Sequence, residues 1–218
     1  MLDSVLFIVF SVLESTALFY LAFKIFKIDL YPKEIVFAGL IMAFFSYCLR
    51  FNYSMSKTDV FLQYTLVFLF IWLLFRIHIF YAVIMTGMTY QAYMLIQSLL
   101  YLFMNLTGLV KMNFPSLSTG SYLLQLLTVT ASLIIAYYIG KKRKGFDFVP
   151  DKPEGRIDIG KRDKILFALS IPSVLLVILM LYLVEYLPNL FFLIPLLYGM
   201  LLFGYLYYSS QKNRGDEF

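Results

Sequence analysis

Long uncharged stretches, separated by short charged ones, dominate this chain. Seven apolar runs approach or reach the ~20 residues that a helix needs to cross a bilayer. They cover residues 2–23, 35–51, 59–75, 79–104, 121–140, 165–187 and 190–208. The second and third runs are short, but Arg50 and Arg76, which close them, can extend them by reaching toward the headgroups. The pattern predicts an all-α fold, a polytopic transmembrane bundle of seven helices.

Prolines mark several boundaries between these runs. Pro115 lies in a polar loop after the fourth run, and Pro188 next to Asn189 predicts a tight hairpin between the last two runs. Pro172 and Pro195 lie near helix starts, where the missing N–H costs little. The first run is too long for a cleavable signal peptide and lacks a basic segment before it, so we expect it to remain as a helix.

The basic residues predict which way the bundle crosses the membrane. Residues 141–164 hold nine of the 18 Lys and Arg residues, and cytoplasmic loops carry the excess of such residues. With the N-terminus outside and the C-terminus inside, 15 basic residues lie inside and only Arg50, Lys57 and Lys111 lie outside. Merging the second and third runs would instead divide the basic segments between both sides. We therefore predict a basic cytoplasmic loop at 141–164 and a cytoplasmic, solvated tail at 209–218.

Composition supports a membrane location and narrows the chemistry. The chain is 61% hydrophobic and 14% charged, whereas soluble domains are about 25% charged. The net charge of +5 does not indicate nucleic-acid binding, because half of the basic residues flank membrane segments and suit anionic lipid. The single Cys48 and the single His78 fall at opposite membrane faces, and no phosphate-binding or nucleophile motif is present. We predict no enzyme activity, no cofactor and no metal site.

Glu14 is the most informative ionisable residue. It lies about twelve residues into the first helix, near the bilayer midplane, where a charged side chain is costly unless it is partnered or functional. One hypothesis is that Glu14 binds a ligand. The other is that it is uncharged, or hydrogen-bonded to a neighbouring helix at a residue such as Gln91, and serves helix packing.

The fourth helix carries a polar and aromatic face. Residues spaced by four, three, four, four and four recur along it: Thr86, Tyr90, Tyr93, Gln97, Tyr101 and Asn105. In the predicted topology, further polar side chains fall in the outer halves of other helices: Arg50, Gln63, Gln125 and Glu185. Helix packing alone could explain the tyrosines, but together these side chains predict a cavity that opens outward. The predicted ligand-binding residues are Glu14, Tyr90, Tyr93, Gln97, Tyr101 and Asn105.

The order of the segments resembles a known class of sensor. Seven helices with the N-terminus outside, the loop GKKRKGFDFVPDKPEGR after the fifth helix and a closing hairpin at 166–208 are similar to the membrane region of bacterial peptide-sensing histidine kinases of the accessory-gene-regulator type. The resemblance implies a bacterial cytoplasmic-membrane protein that binds a secreted signalling peptide. The kinase parts that follow in that family have no counterpart before Phe218, so we expect either a separated sensor part or a stand-alone relative that acts through a partner.

Two functions follow from these observations. The first is a membrane sensor that binds an extracytoplasmic peptide or small amphiphile and contacts a cytoplasmic signalling protein through residues 141–164. The alternative is the substrate-binding membrane subunit of a transporter, in which an ATPase would dock on the same loop. Both place the lipid bilayer around the helices.

Overall fold

The computed structural model describes residues 2–53, 55–108, 119–150, 159–186 and 190–215. Within these ranges each apolar run is mostly helical. Two helices end in a short π-helical turn, Cys48–Asn52 after α2 and Phe70–Leu74 after α3. The α-helices are α1 Leu2–Ile25, α2 Pro32–Tyr47, α3 Ser56–Leu69, α4 Ile79–Leu106, α5 Thr119–Lys141, α6 Lys161–Ala168, α7 Ser170–Tyr186 and α8 Leu193–Asn213.

The predicted all-α bundle is confirmed, with seven helical segments in the described ranges that are long and apolar enough to span a membrane. Helices α6 and α7 together form one of these segments. The break between them at Leu169 has a local cause. Pro172 lacks an N–H and its ring crowds the carbonyl of Ala168, four residues earlier, so a regular helix cannot continue through this point.

Several predicted boundaries differ from those of the structure. Helix α2 begins at Pro32 rather than 35, because proline is well suited to the first helical turn. Residues 161–164, predicted as loop, form the first turn of α6, and α8 continues through the predicted tail to Asn213. Ser209 within this extension is buried, which its polar character does not predict; the cytoplasmic location of the tail stays a prediction. Pro188, Asn189, the loop at 109–118 and residues 151–158 lie outside the described residues, as does the Glu185 side chain.

The ends of the bundle are distinct. We call the end that holds the start of α1, residues 48–56, the last turn of α4 and the start of α5 the cavity end. The opposite end, with residues 26–31, 75–78 and 142–150 and the last turn of α8, is the loop end. Because the number of spans is odd, the start of α1 and the end of α8 lie at opposite ends of the bundle.

Helix α4 lies at the centre of the bundle and packs against α1, α3, α5, α6, α7 and α8. In the half nearer the loop end, mostly apolar side chains pack at the centre of the bundle, and the following are completely inaccessible to solvent: Phe19, Phe23, Ile71, Met85, Met88 and Tyr205. Large apolar side chains such as Phe44, Ile134 and Phe203 are exposed on the outer surface. Exposed apolar area of this extent is suited to acyl chains, as the membrane prediction requires.

A short segment, residues 145–149, folds against the loop end; we call it the loop-end cap. The Phe146 N–H donates to the Ile25 carbonyl at the end of α1 over 2.7 Å. A Cβ at Gly145 would come within 2.8 Å or less of the last α1 carbonyls, so only glycine permits this approach. Asp147 forms an ion pair with Lys27 at 2.5 Å, which joins the cap to the turn after α1.

A second polar cluster joins three helices at the loop end. The Lys212 ammonium of α8 donates to the buried Asp163 carboxylate at the start of α6 and, at 3.3 Å, to the Tyr81 hydroxyl of α4. The same ammonium lies 4.7 Å from the centre of the Phe148 ring in the loop-end cap, a cation–π contact. These contacts fix the last turn of α8 against the start of α4.

Candidate ligand-binding cavity

A cavity of about 450 Å³ occupies the half of the bundle nearer the cavity end. All seven spans contribute side chains to it, and Ser56, Lys57, Ser121 and Phe191, at helix ends, lie at its mouth. Its volume falls in the range of pockets that hold small molecules. The deepest lining residues, such as Leu18, stand directly above the mostly apolar core of the other half.

The structure brings five of the six predicted site residues to this cavity: Glu14, Tyr90, Tyr93, Gln97 and Tyr101. Their placement is that expected from the sequence, and ligand binding by them stays a prediction. Tyr90 and Tyr93 are almost fully buried, whereas Gln97 and Tyr101 are partly exposed toward the mouth. The polar face of α4 therefore turns into the bundle.

The sixth residue, Asn105, is exposed and is not among the residues that line the cavity, so the inward-facing stripe of α4 ends before it; ligand binding by Asn105 stays a prediction. The reason lies in helix geometry. Each step of four residues advances about 40° beyond a full turn, so three such steps from Tyr93 rotate Asn105 by about 120° around α4. The neighbouring Leu106 is also strongly exposed, whereas Met104 is buried, so Asn105 lies on the outer side of a turn that still packs against the bundle.

Glu14 contacts α5 and α4 within the cavity. The Gln125 side-chain amide of α5 donates to the Glu14 carboxylate over 3.3 Å. The buried Tyr93 hydroxyl of α4 is close enough to influence this carboxylate, but it has no hydrogen-bond partner among the described residues. The sequence-based alternative partner was wrong: Gln91 instead donates to the Ser173 hydroxyl of α7 at 2.6 Å. Gln125, which the sequence analysis placed among the outer polar residues, is the amide that holds Glu14.

An ion pair that the sequence analysis missed lies beside Glu14. Asp59, at the start of α3, is completely buried and accepts hydrogen bonds from Arg50 Nε at 2.5 Å and from Ser46 Oγ at 2.9 Å. Gln63 Nε2 bridges the same carboxylate, at 3.4 Å, and the Met42 carbonyl, at 2.9 Å. The signal was available: Arg50 and Asp59 flank the turn between two antiparallel helices, which brings residues on either side together.

Aromatic side chains form the opposite wall. Tyr90 meets Tyr64 edge to face, with ring centres 4.9 Å apart, and Tyr101 packs on Phe191 at 4.4 Å. The Tyr198 side chain of α8 is inaccessible to solvent, and its hydroxyl has no hydrogen-bond partner among the described residues. A buried hydroxyl without a partner is costly, and a polar ligand or water in the cavity would satisfy it.

The cavity offers recognition groups rather than a set of metal ligands. In the described ranges no group of three His, Cys, Asp or Glu side chains is arranged to hold a metal ion. The charged side chains that line it are Glu14, Arg50, Lys57 and Asp59. Carboxylate, guanidinium and tyrosine groups around a partly apolar space can orient a ligand of mixed polarity.

Comparisons with protein-family models, with curated proteins and with solved structures give no match for this chain. The described structure is that of a multi-pass membrane protein, with seven helices suited to span a bilayer. Beyond this, the function has to be argued from the cavity and from the distribution of charge.

Proposed function

We propose that this chain is a membrane receptor that binds a small amphiphilic ligand from the extracytoplasmic side and acts through a partner on the cytoplasmic side. One observation carries the proposal. A polar, tyrosine-lined cavity opens at one end of the bundle, and the basic residues concentrate at the other.

Charge supports the orientation. Among the Lys and Arg residues that the structure describes, 13 lie at the loop end, against Arg50 and Lys57 at the cavity end. Cytoplasmic loops carry this excess, since basic segments resist translocation. The cavity end then faces outward, with the N-terminus outside and the C-terminus inside.

The packing of side chains directly below the cavity favours a receptor over the alternative, a transporter subunit. A transported molecule would have to pass below Leu18 and Tyr90, where Phe19, Phe23 and Met88 fill the space. Protein interiors packed in this way yield only through a rearrangement of whole helices. A ligand that binds in the outer half and stays there needs no such path.

The resemblance to peptide-sensing kinases suggests the ligand and the partner. We propose a bacterial cytoplasmic-membrane sensor for a short secreted peptide, as in quorum sensing. The exposed basic residues 141–144, next to the loop-end cap, form the surface on which a cytoplasmic signalling protein would dock. A gene neighbour that encodes a response regulator or a peptide-processing protease would support this, and one that encodes an ATPase would support the transporter.

The orientation of the cavity can be tested with thiol labelling. Cys48 is first replaced by serine, and single cysteines are then introduced at Ser11, which lines the cavity, and at Lys142, which is exposed at the loop end. A membrane-impermeant maleimide added to intact cells should label Ser11→Cys, and should label Lys142→Cys only after the membrane is opened. The opposite labelling pattern would invert the topology and end the receptor proposal.

The same variants test ligand binding. A peptide extract of the organism's own culture medium should slow the labelling of Ser11→Cys and leave Lys142→Cys, labelled in opened membranes, unaffected. If neither rate changes at any extract concentration, the medium contains no ligand for this cavity, and the proposal of a secreted peptide is contradicted.

A further inference from the structure

We infer that Glu14 binds a cationic amine of the ligand, so that the cavity selects molecules with an ammonium group attached to an apolar body. The inference rests on the proposed function, because it names the chemical class that the same cavity takes. It derives from the charges around the cavity, from their pairing and from the position of the tyrosines.

The charges that line the cavity are unequally paired. Arg50 is engaged by the buried Asp59 at 2.5 Å, so this pair is neutral within itself. Lys57 is exposed at the mouth, near the start of α3. Glu14 lies deeper, midway along α1, and its hydrogen-bond donor on α5 is the uncharged amide of Gln125 at 3.3 Å.

Arg50 acts electrostatically on Glu14 without forming an ion pair with it, and its guanidinium is held by Asp59. A carboxylate in a low-dielectric interior gains most from a cation in direct contact. The described side chains place no ammonium or guanidinium in ion-pair contact with Glu14. A ligand amine can fill that position.

The surroundings of Glu14 suit an ammonium group in particular. Tyr90, Tyr93 and Tyr198 line the cavity on the side of α4 and α8, and tyrosine rings attract cations through their faces. The Tyr198 hydroxyl lacks a hydrogen-bond partner in the described structure, and it can accept a hydrogen bond from the ligand ammonium. A carboxylate combined with tyrosines is a common way to recognise amines, whereas an anionic ligand would be repelled by Glu14.

Depth determines the orientation of the ligand. The carboxylate lies well below the mouth, where the Tyr101 and Phe191 rings pack at a tilt with centres 4.4 Å apart and the partly exposed Gln97 lines the wall. An amphiphile with its amine at Glu14 then places its apolar part between these aromatic rings. A short peptide with a free N-terminus and apolar side chains has this shape, and about 450 Å³ is enough for two or three residues.

The test uses a matched pair of probes on the full-length protein in lipid nanodiscs. One probe is phenylalanyl-phenylalanine amide, which has a free cationic amine, and the other is its N-acetylated form, which is neutral. Binding is measured by isothermal titration calorimetry. The protein variants are wild type, Glu14→Gln, which keeps the shape and the contact with Gln125, and Glu34→Gln, a control with the same change at the loop end.

We expect the free amine to bind wild type and Glu34→Gln about tenfold or more tightly than the acetylated probe, as is typical of a charge-assisted hydrogen bond. In Glu14→Gln this preference should vanish, because only the affinity for the amine falls. If Glu14 had only a structural role, the substitution would instead weaken the binding of both probes equally. Circular dichroism and thermal unfolding verify that each variant is folded.

The outcomes separate the two proposals. If both probes bind wild type with equal affinity, or if Glu14→Gln keeps the preference for the amine, the amine site is refuted and the cavity remains a binding site. If neither probe binds wild type, the amine inference is refuted, and the receptor proposal is then judged by the labelling of Ser11→Cys alone.

Discussion

The ion pair between Arg50 and Asp59 makes a quantitative prediction, because the loop end contains a pair of the same length in a different environment. The first pair is 2.5 Å long and its carboxylate side chain is 0% exposed. The pair between Lys27 and Asp147 is also 2.5 Å long, but its carboxylate side chain is 60% exposed. Replacing each aspartate by asparagine removes the same charge at the same distance, so a difference in effect reports the burial of Asp59 together with the hydrogen bonds it accepts from Ser46 and Gln63.

The two magnitudes should differ clearly. Removing one partner of a buried pair typically costs about 3–5 kcal/mol, because the other charge is left uncompensated. The Arg50 side chain is 32% exposed and can partly turn to water, so we expect about 2–3 kcal/mol for Asp59→Asn. Asp147→Asn should cost no more than about 1 kcal/mol, as surface pairs do.

The assay is reversible unfolding in mixed micelles with increasing dodecyl sulfate, followed by circular dichroism. The double variant Arg50→Gln, Asp59→Asn should recover part of the lost free energy of unfolding, since no buried charge is then left without a partner. Equal losses for Asp59→Asn and Asp147→Asn would refute the argument, because they would show that burial does not determine the strength of these pairs.

Three further predictions concern glycines and the basic segment. Gly145→Ala should release the loop-end cap, because the new Cβ would collide with α1 carbonyls, and tryptic cleavage at residues 141–144 should rise about tenfold. The control is Gly140→Ala, whose Cβ meets only a flexible lysine side chain and which should leave cleavage unchanged. Gly87→Ala should lower the free energy of unfolding by about 1–3 kcal/mol, since it would overlap a buried tyrosine hydroxyl of α8, whereas Gly199→Ala, with its nearest contact at 4.0 Å, should not lower it. Neutralising all four residues 141–144 should cause a fraction of the molecules to insert in the opposite orientation, which C-terminal reporter fusions would detect. A uniform, unchanged topology would mean that other segments set the orientation.

The sequence predicted the spans well because the physical requirement is simple. A bilayer core of fixed thickness demands about 20 apolar residues per helix, and charges cannot interrupt them cheaply. The boundaries were less accurate where polar residues continue a helix. Residues 161–164 and 209–213 are helical because Asp163 and Lys212 pair with each other. That pairing links segments almost fifty residues apart, and no local pattern reveals it.

Part of the cavity lining was predicted correctly, because periodicity along a helix is a local property of the sequence. Periodicity along a single helix placed Tyr90, Tyr93, Gln97 and Tyr101 correctly, since residues on one helical face share one environment. It failed at Asn105, where the drift of repeated four-residue steps turns the side chain away. Periodicity along one helix does not predict contacts between helices. The sequence analysis therefore named an amide of α4 as the partner of Glu14, whereas the partner is Gln125 of α5.

Two helices connect the cavity to the loop end, and this limits how the proposed receptor could signal. Helix α1 lines the cavity with Glu14 and accepts the loop-end cap at Ile25. Helix α4 lines it with Tyr93 and contacts Lys212 through Tyr81. A ligand changes the cap only if it binds two arrangements of these helices with different affinity. A tenfold difference shifts their balance by about 1.4 kcal/mol. A single surface ion pair contributes a free energy of about the same size. Such a ligand could therefore break the exposed pair between Lys27 and Asp147 at the loop end, but it could not break the buried pair between Lys212 and Asp163.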